Sequence, residues 1–388
     1  MEIYVVREGD TIDRIAAAYE VSPFFLAWVN QIEPPYRLAV GQALLISREE
    51  ELEQPETESR FRPPAWMGGY AYPWIDREVL EETCGYLTSI AVFSYGFTEE
   101  GILVHPQESG EQKILAEAAR QGVMAELVLT PLGPDGHFNN NLVSILVRNL
   151  EVQQRVIRGI WQEVQQKGYG GVDVDFEYVL AEDRERMVEF VRRLHTVMHV
   201  FGVRVTVALA PKTSRDQRGL LYEGIDYRGL GEAADSVLLM TYEWGYTYGP
   251  PMAVAPLNMV RRVAEYAVTE IPREKIRLGI PNYGYDWPLP YERGVTKAQS
   301  LGYTDAIRLA IDHGVPIRFD ETAKCPYFRY WQYGIQHEVW FEDIRSMQAS
   351  FDLIRELGLA GAGYWQLMRL FRSNWILASS EFQIEKVL

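Results

Sequence analysis

Eight short apolar runs, rich in β-branched and aromatic residues, alternate with helical patterns from about residue 64 to the end of the chain. Such runs, joined by amphipathic helices, are typical of parallel strands with crossover helices. The clearest helical pattern covers 181–200, with acids in its first turn. Eight units predict an α/β fold, a (β/α)8 TIM barrel with its active site at the carboxyl ends of the strands. The predicted strands are 65–72, 86–95, 124–130, 171–178, 203–212, 236–244, 275–285 and 360–367.

The fourth run, GYGGVDVDFEYV at 168–179, carries three acidic side chains within five positions. Because alternate residues of an extended chain share a face, Asp173, Asp175 and Glu177 line up on one side. Like charges packed without partners raise pKa values and destabilise a fold, so a structural role explains them poorly. The run therefore predicts an acid–base site at the carboxyl end of this strand.

Composition narrows the class of partner. The 388 residues include 38 Lys and Arg against 54 Asp and Glu, a formal net charge of -16. This balance disfavours nucleic acid and anionic membranes and fits a neutral substrate better. No run approaches 18 apolar residues, and the N-terminus lacks a basic region followed by an apolar stretch. We therefore expect no membrane span and no recognisable signal peptide.

Cofactor motifs are weak. No glycine-rich loop follows a strand in the pattern that cradles phosphates, so no nucleotide cofactor is indicated. His195 and His199 occur as HTVMH, which resembles a metal-binding helix, but Thr196 replaces the glutamate and no third ligand is evident. We place both histidines on an outer helix of the barrel and predict neither a metal nor a cofactor.

The first 47 residues have a β-α-α-β pattern with VREGDT at the first turn and VGQALLI at the end. This order resembles the LysM module, which binds N-acetylglucosamine-containing glycans. The resemblance implies that Gly9, Asp10, Thr11 and Asn30 contact a glycan; the alternative is a small domain without a ligand. A glutamate-rich segment at 48–63 is predicted to be a solvated linker.

The segment GGVDVDFE is close to D-x-x-D-x-D-x-E, the fourth-strand signature of glycoside hydrolase family 18. MTY at 240–242 resembles the family's M-x-Y, and YWQ at 364–366 resembles its tryptophan site. The match covers 64–388 and is most similar to the LysM-linked subgroup of cortex-lytic N-acetylglucosaminidases and spore germination hydrolases. Gly170 replaces the motif's first Asp, and Glu243 stands where many members have Asp. An inserted α+β lobe is expected at about 286–345, with two or three strands.

The resemblance implies a retaining mechanism without an enzyme nucleophile. Glu177 would protonate the glycosidic oxygen while the substrate's 2-acetamido oxygen attacks the anomeric carbon. Asp175 would orient the acetamido group and share a proton with Asp173, and Tyr242 would hydrogen-bond the acetamido carbonyl. Trp365 would form the floor under the sugar. Further substrate contacts are expected from Met240, Glu243, Trp244, Tyr283 and Asp286.

The sequence thus predicts a glycosidase acting on N-acetylglucosamine linkages of peptidoglycan, in particular spore cortex fragments during germination. It would be a monomer located in the spore coat, the cortex or the cell wall. Three alternatives remain open: hydrolysis of chitin oligosaccharides, transfer of the sugar to another sugar, and a catalytically silent glycan-binding barrel. Exo and endo action are not distinguished.

Overall fold

The computed structural model describes residues 1–49, 62–106 and 110–387. Its N-terminal unit has the predicted β-α-α-β order, with the two strands antiparallel. The first helix is capped by the Thr11 side chain, and the second by that of Ser22 with proline at its first position. The elements are β1 (Glu2–Val5), α1 (Ile12–Tyr19), α2 (Pro23–Val29) and β2 (Ala43–Ile46).

The rest of the described chain is built on a closed barrel of eight parallel strands, which confirms the predicted (β/α)8 fold. Two short strands, β5 (Leu103–Val104) and β17 (Gln383–Ile384), pair with it from outside the ring. The barrel strands are β3 (Pro64–Ala71), β4 (Ser89–Phe97), β6 (Met124–Leu129), β7 (Gly171–Val174), β8 (Arg204–Leu209), β9 (Ser236–Leu239), β10 (Ile276–Pro281) and β16 (Gly361–Trp365).

Helices surround this ring, and most of them bury one apolar side. The pattern at 181–200 forms a short 3-10 turn at Ala181–Asp183 followed by a helix, as predicted. The helices are α3 (Arg77–Cys84), α4 (Glu111–Arg120), α5 (Asn141–Arg148), α6 (Leu150–Lys167), α7 (Arg184–His199), α8 (Tyr227–Ala233), α9 (Leu257–Glu270), α10 (Tyr303–Asp312), α11 (Ile344–Leu357) and α12 (Arg372–Glu381).

The inserted lobe lies close to the predicted range but has more strands than predicted. Its antiparallel sheet has five strands in the order β12-β11-β15-β14-β13, with α10 packed in the same insertion. The expected seventh strand, 275–285, was drawn too long, because the apolar run crosses from the barrel strand into the first strand of the lobe. These strands are β11 (Gly284–Leu289), β12 (Gln299–Leu301), β13 (Arg318–Asp320), β14 (Cys325–Gln332) and β15 (Ile335–Trp340).

The N-terminal unit is docked on the barrel. Val29, Ala39 and Leu45 belong to the same buried apolar cluster as the barrel core. Arg372 donates to the Trp28 carbonyl (2.7 Å), and its guanidinium carbon lies 4.5 Å from the Trp28 ring centroid. This contact was not expected from a tethered module. Most of the predicted linker, 50–61, lies outside the described residues.

Gly41 packs closely against the lobe. Its φ is +84°, and a Cβ added there would lie 1.9 Å from the Ile317 carbonyl oxygen of the lobe. The neighbouring Val40 carbonyl accepts from the Ile317 N–H at 2.8 Å. Only glycine satisfies both the backbone angle and the contact. No helix among the described residues is long and apolar enough to cross a membrane.

Candidate active site

Three acids follow one another along the end of β7. Asp173 and Asp175 are buried, whereas Glu177 faces the open cleft. The strand was predicted to continue to 178 but its paired part ends at Val174, although the Asp175 N–H still donates to the Leu129 carbonyl at 3.0 Å. The chain therefore turns outward after Asp175, which carries the last acid to the mouth of the barrel.

Asp173 is held by a residue that sequence reasoning missed. The hydroxyl of Tyr70, near the end of β3, donates a 2.7 Å hydrogen bond to Asp173 Oδ2. Burial, with the charge of Glu126 as the next contributor, raises the pKa of Asp173 to about 7, while the Tyr70 bond and Arg277 oppose the rise. Asp173 therefore carries a proton for much of the time near neutral pH.

The pKa values of the other two acids are shifted in the same direction. Burial raises the pKa of Asp175 well above its ordinary value, and the charges of Glu177 and Asp173 add to the effect. Burial by the surrounding cleft also raises the pKa of Glu177, with the charge of Glu243 as the second cause. A raised pKa favours the protonated form of a carboxyl group, which is the form that can donate a proton to a leaving oxygen in the cleft.

A buried ion pair lies beneath the acids, inside the barrel. Arg277 on β10 and Glu126 on β6 are 3.5 Å apart, with side chains only 5% exposed. The Arg277 guanidinium carbon also lies 3.9 Å from the Trp66 ring centroid. Because β6 pairs with β7, Glu126 is the acidic neighbour of Asp173 from below. No local sequence pattern indicates this pair, since its members are 151 residues apart.

The glycine at position 170 does not interrupt this network. A Cβ at Gly170 would contact the Met124 side chain, with its Cγ at 2.6 Å. Residues an odd number of positions apart on a strand point to opposite faces, so position 170 points away from Asp173.

Tyr242 follows β9 and lies among the acids. Burial, followed by the charges of Asp175, Glu177 and Asp173, raises its pKa well above the ordinary value. Its hydroxyl consequently stays protonated and can donate a hydrogen bond. Met240, two residues earlier, is partly buried and packs against the barrel core.

Glu243 occupies the left-handed region of backbone space, with a φ of +66°. Its Oε1 accepts from the hydroxyls of Tyr283 (2.5 Å) and Tyr285 (2.9 Å). Burial raises the pKa of Glu243, and these two bonds oppose the rise. Glu243 thus lies close to Glu177, and it is held by Tyr283 and, from the lobe, by Tyr285.

Trp365 belongs to an aromatic wall at the carboxyl ends of the strands. Its ring centroid is 4.9 Å from that of Phe93, 5.4 Å from Tyr70 and 6.1 Å from Tyr72. Tyr72 in turn stacks on Trp74, which is 55% exposed. Aromatic faces of this kind are suited to sugar rings. The alternating tyrosines of GGYAY at the end of the first strand were the signal that could have revealed this wall.

One expected substrate contact, Asp286, is placed differently, whereas the position of Trp244 leaves its predicted role a prediction. Asp286 is buried in the lobe, where Tyr330 donates to its Oδ2 (2.6 Å) and His337 Nδ1 lies 2.9 Å from its Oδ1. Trp244 packs as a partly buried residue against the core. Asp286 was assigned to the end of the seventh strand, but it lies on β11, so its carboxylate orders the lobe; this assignment is corrected.

The predicted glycan contacts of the N-terminal unit differ in exposure. Gly9 and Thr11 are exposed, and Asp10 accepts from the Tyr4 hydroxyl and the Arg7 N–H, each at 2.7 Å. Asn30 is buried: its amide donates to the Leu26 and Leu45 carbonyls, and its oxygen accepts from the Leu45 N–H. Asn30 therefore holds the fold of the unit together, which corrects its assignment to glycan binding.

Comparison with known proteins gives separate matches for the barrel and for the N-terminal unit. The family model for glycosyl hydrolases family 18 matches residues 133–369, and that for the LysM domain matches residues 4–47. The chain belongs to glycoside hydrolase family 18. It is therefore a glycoside hydrolase, with a LysM domain at its N-terminus.

This family 18 enzyme resembles proteins of spore-forming bacteria along its whole length. It is 36% identical to the cortical fragment-lytic enzyme of Bacillus subtilis, over 100% of this chain and 99% of that protein. The relative of the same name from Bacillus anthracis is also 36% identical, with the same coverage. The crystal structure of the Bacillus megaterium spore cortex-lytic enzyme SleL superposes with a TM-score of 0.92 at 32% identity, covering 100% of this chain and 99% of that one.

Proposed function

We propose that this enzyme hydrolyses N-acetylglucosamine linkages in spore cortex peptidoglycan, acting on fragments released during germination. The observation that carries the proposal is the row Asp173, Asp175 and Glu177, whose pKa values are all raised, beside a protonated Tyr242. The full-length similarity to cortical fragment-lytic enzymes supports the choice of substrate.

In the proposed mechanism Glu177 donates its proton to the glycosidic oxygen as the bond to the anomeric carbon breaks. The 2-acetamido oxygen of the same sugar attacks that carbon and gives an oxazolinium, which water then opens with retention. Asp175 accepts a hydrogen bond from the acetamido N–H and balances the positive charge. Asp173, with a pKa of about 7, can take up the proton that Asp175 must give up.

Tyr242 and Trp365 position the sugar in this scheme. The Tyr242 hydroxyl donates to the acetamido carbonyl and holds its oxygen in line with the anomeric carbon. This positioning reduces the entropy that must be lost to reach the reactive geometry. The ring of Trp365, supported by Phe93 and Tyr70, supplies the apolar floor of the reactive subsite. An acetamido group on the reactive sugar is therefore required of any substrate.

The LysM domain would bring the enzyme to the wall polymer. Exposed Gly9 and Thr11, flanking Asp10, are the predicted contacts that the fold leaves available. A single module gives weak attachment, because it lacks the gain in effective concentration of linked modules. We therefore infer a monomer that works at the spore cortex or cell wall and acts best on small fragments.

The test compares the products of intact protein and Glu177→Gln on cortex-derived fragments and on N-acetylglucosamine oligomers, by mass spectrometry. Cleavage of cortex fragments by the intact protein, with a loss of about 10² to 10⁴-fold in the variant, is expected. Glu274→Gln, an exposed change outside the cleft, is the control and should cleave normally. Cleavage of the oligomers alone would overturn the cortex substrate, and binding without cleavage would indicate a silent glycan-binding barrel.

A further inference from the structure

A group of metal-ligand side chains lies on the outside of the barrel, away from the acids. His195 and His199 are one turn apart on α7, with ring centroids 5.3 Å apart and planes inclined by 23°. Asp235, just before β9, brings its Oδ1 to 3.3 Å from His195 Nε2. One ligand atom of each residue lies within 4.8 Å of the others, and within the described ranges no other such group of three was found.

The distances suit a tetrahedral ion. Zinc bonds of about 2.0–2.2 Å to imidazole nitrogen and carboxylate oxygen require neighbouring ligand atoms about 3.3–3.5 Å apart. The His195–Asp235 distance of 3.3 Å already has this value. His199 is exposed in the last turn of its helix, so its ring can rotate to close the third edge.

The carboxylate is held in position by the backbone. Asp235 Oδ2 accepts from the Val205 N–H at 2.7 Å, and the Asp235 N–H donates to the Val205 carbonyl at 2.9 Å. A second bond of this kind orients a metal-binding carboxylate and leaves its other oxygen free to bind. A simple His–Asp contact would need one imidazole, and it does not account for His199 stacked alongside.

We propose that His195, His199 and Asp235 form a binding site for a divalent transition metal of the zinc class, with the remaining position open to solvent. Two imidazoles and one carboxylate favour zinc, nickel or copper over magnesium or calcium. Asp235 precedes β9, whereas Tyr242 follows it, so the site lies at the opposite end of the strand from the catalytic acids. Bound metal would fasten α7 to the barrel and stabilise the fold without entering the reaction.

The sequence alone suggested two of the three ligands of this site. HTVMH contains both imidazoles, whereas Asp235 lies 40 residues from His195 and no spacing pattern connects it to them. The parallel pairing of β8 with β9 brings Asp235 beside Val205, on the side of the barrel that α7 covers. Since both imidazoles must be neutral to bind, the affinity is expected to fall as the pH is lowered.

The experiment titrates chelator-treated, full-length protein with zinc chloride in a calorimeter and follows thermal unfolding with and without zinc. One ion per chain and a higher unfolding temperature with zinc are expected for the intact protein. His199→Ala and Asp235→Asn should each weaken binding by about tenfold or more and remove the thermal shift. His137→Ala, an exposed histidine outside the group, should bind zinc like the intact protein.

Cobalt(II) gives an independent readout that a merely structural histidine would not affect. A tetrahedral site with nitrogen and oxygen ligands should produce visible absorption bands, which His199→Ala should abolish while keeping its fold. Equal zinc binding by the intact protein and by His199→Ala would overturn the proposal. So would the absence of saturable binding to the intact protein.

Discussion

The Tyr70 hydroxyl donates a 2.7 Å hydrogen bond to Oδ2 of Asp173, joining the first barrel strand to the fourth. The bond favours the charged form of Asp173 and lowers its pKa, against burial, which raises it. Tyr70→Phe is therefore expected to raise the pKa of Asp173 above about 7. The pH dependence of turnover should move to higher pH in the variant. Tyr266→Phe, on an outer helix, should leave the profile unmoved, and an unmoved profile in Tyr70→Phe would separate this hydroxyl from catalysis.

Asp173 should make the fold less stable at neutral pH than at acid pH. Its folded pKa of about 7 exceeds the ordinary value, so the folded state binds the proton more tightly. The stabilising contribution of the protonated Asp173 side chain is fully present below about pH 4 and is lost as the pH rises through about 7. Asp173→Asn should remove the loss and raise the free energy of unfolding at pH 8 by up to about 4 kcal/mol. Denaturant unfolding of the intact protein and of the variant at pH 4 and pH 8 measures this difference in free energy. An equal effect of the substitution at both pH values would refute the raised pKa of Asp173.

The ion pair between Arg277 and Glu126 should be costly to break from one side only. Arg277→Met leaves the buried carboxylate of Glu126 without its partner, which typically costs about 3–5 kcal/mol. The double variant Arg277→Met with Glu126→Gln is the control and should recover most of the stability. Urea unfolding measures the free energy of unfolding of the two variants. Equal losses of stability in the single and the double variant would mean that packing, not charge, explains the destabilisation.

Tyr242→Phe should lower turnover while leaving substrate binding nearly intact. The phenol is protonated and lies among the acids, so in the proposed mechanism the substitution removes one hydrogen bond to the reacting acetamido group. By analogy with single donors lost from other active sites, a fall of about 10²-fold in kcat is expected. Steady-state kinetics on soluble fragments separate kcat from KM. An unchanged kcat would remove Tyr242 from the mechanism.

Gly41→Ala should weaken docking of the LysM domain far more than Gly9→Ala. Both glycines have positive φ, +84° and +81°, so both variants carry a similar backbone strain of about 1–2 kcal/mol. A Cβ at Gly41 would also clash with the Ile317 carbonyl, whereas no atom of the described residues lies within 4 Å of one at Gly9. Thermal unfolding should show the larger loss in Gly41→Ala. Equal losses would mean that the contact is unimportant.

Removal of residues 1–47 tests the same docking more severely. It should lower the unfolding temperature, because Val29, Ala39 and Leu45 pack into the barrel core. Binding to insoluble wall should weaken as well. Turnover of soluble fragments, measured well below the unfolding temperature, should stay near normal. A large loss there would show that the LysM domain shapes the cleft.

The sequence predicted the barrel and its acid row because both are written in local patterns. Strand alternation and the spacing of Asp173, Asp175 and Glu177 depend on neighbours in the chain. Tyr70, Arg277 and Glu126 reach the site only when a ring of strands closes, and no local pattern encodes that closure. The end of the seventh strand was placed too late for a related reason: Asn282 and Tyr283 separate β10 from β11 within a run that resembles one strand.

The docked LysM domain has a consequence for work on a solid surface. A freely tethered catalytic domain sweeps the area around its anchor, whereas one that shares a core with its anchor faces a fixed patch of polymer. Once the linkages within that patch are cut, the enzyme must let go before it can continue. The rate of cleavage across insoluble wall would then be limited by the rate at which the LysM domain dissociates. Weak attachment by one module would therefore increase that rate.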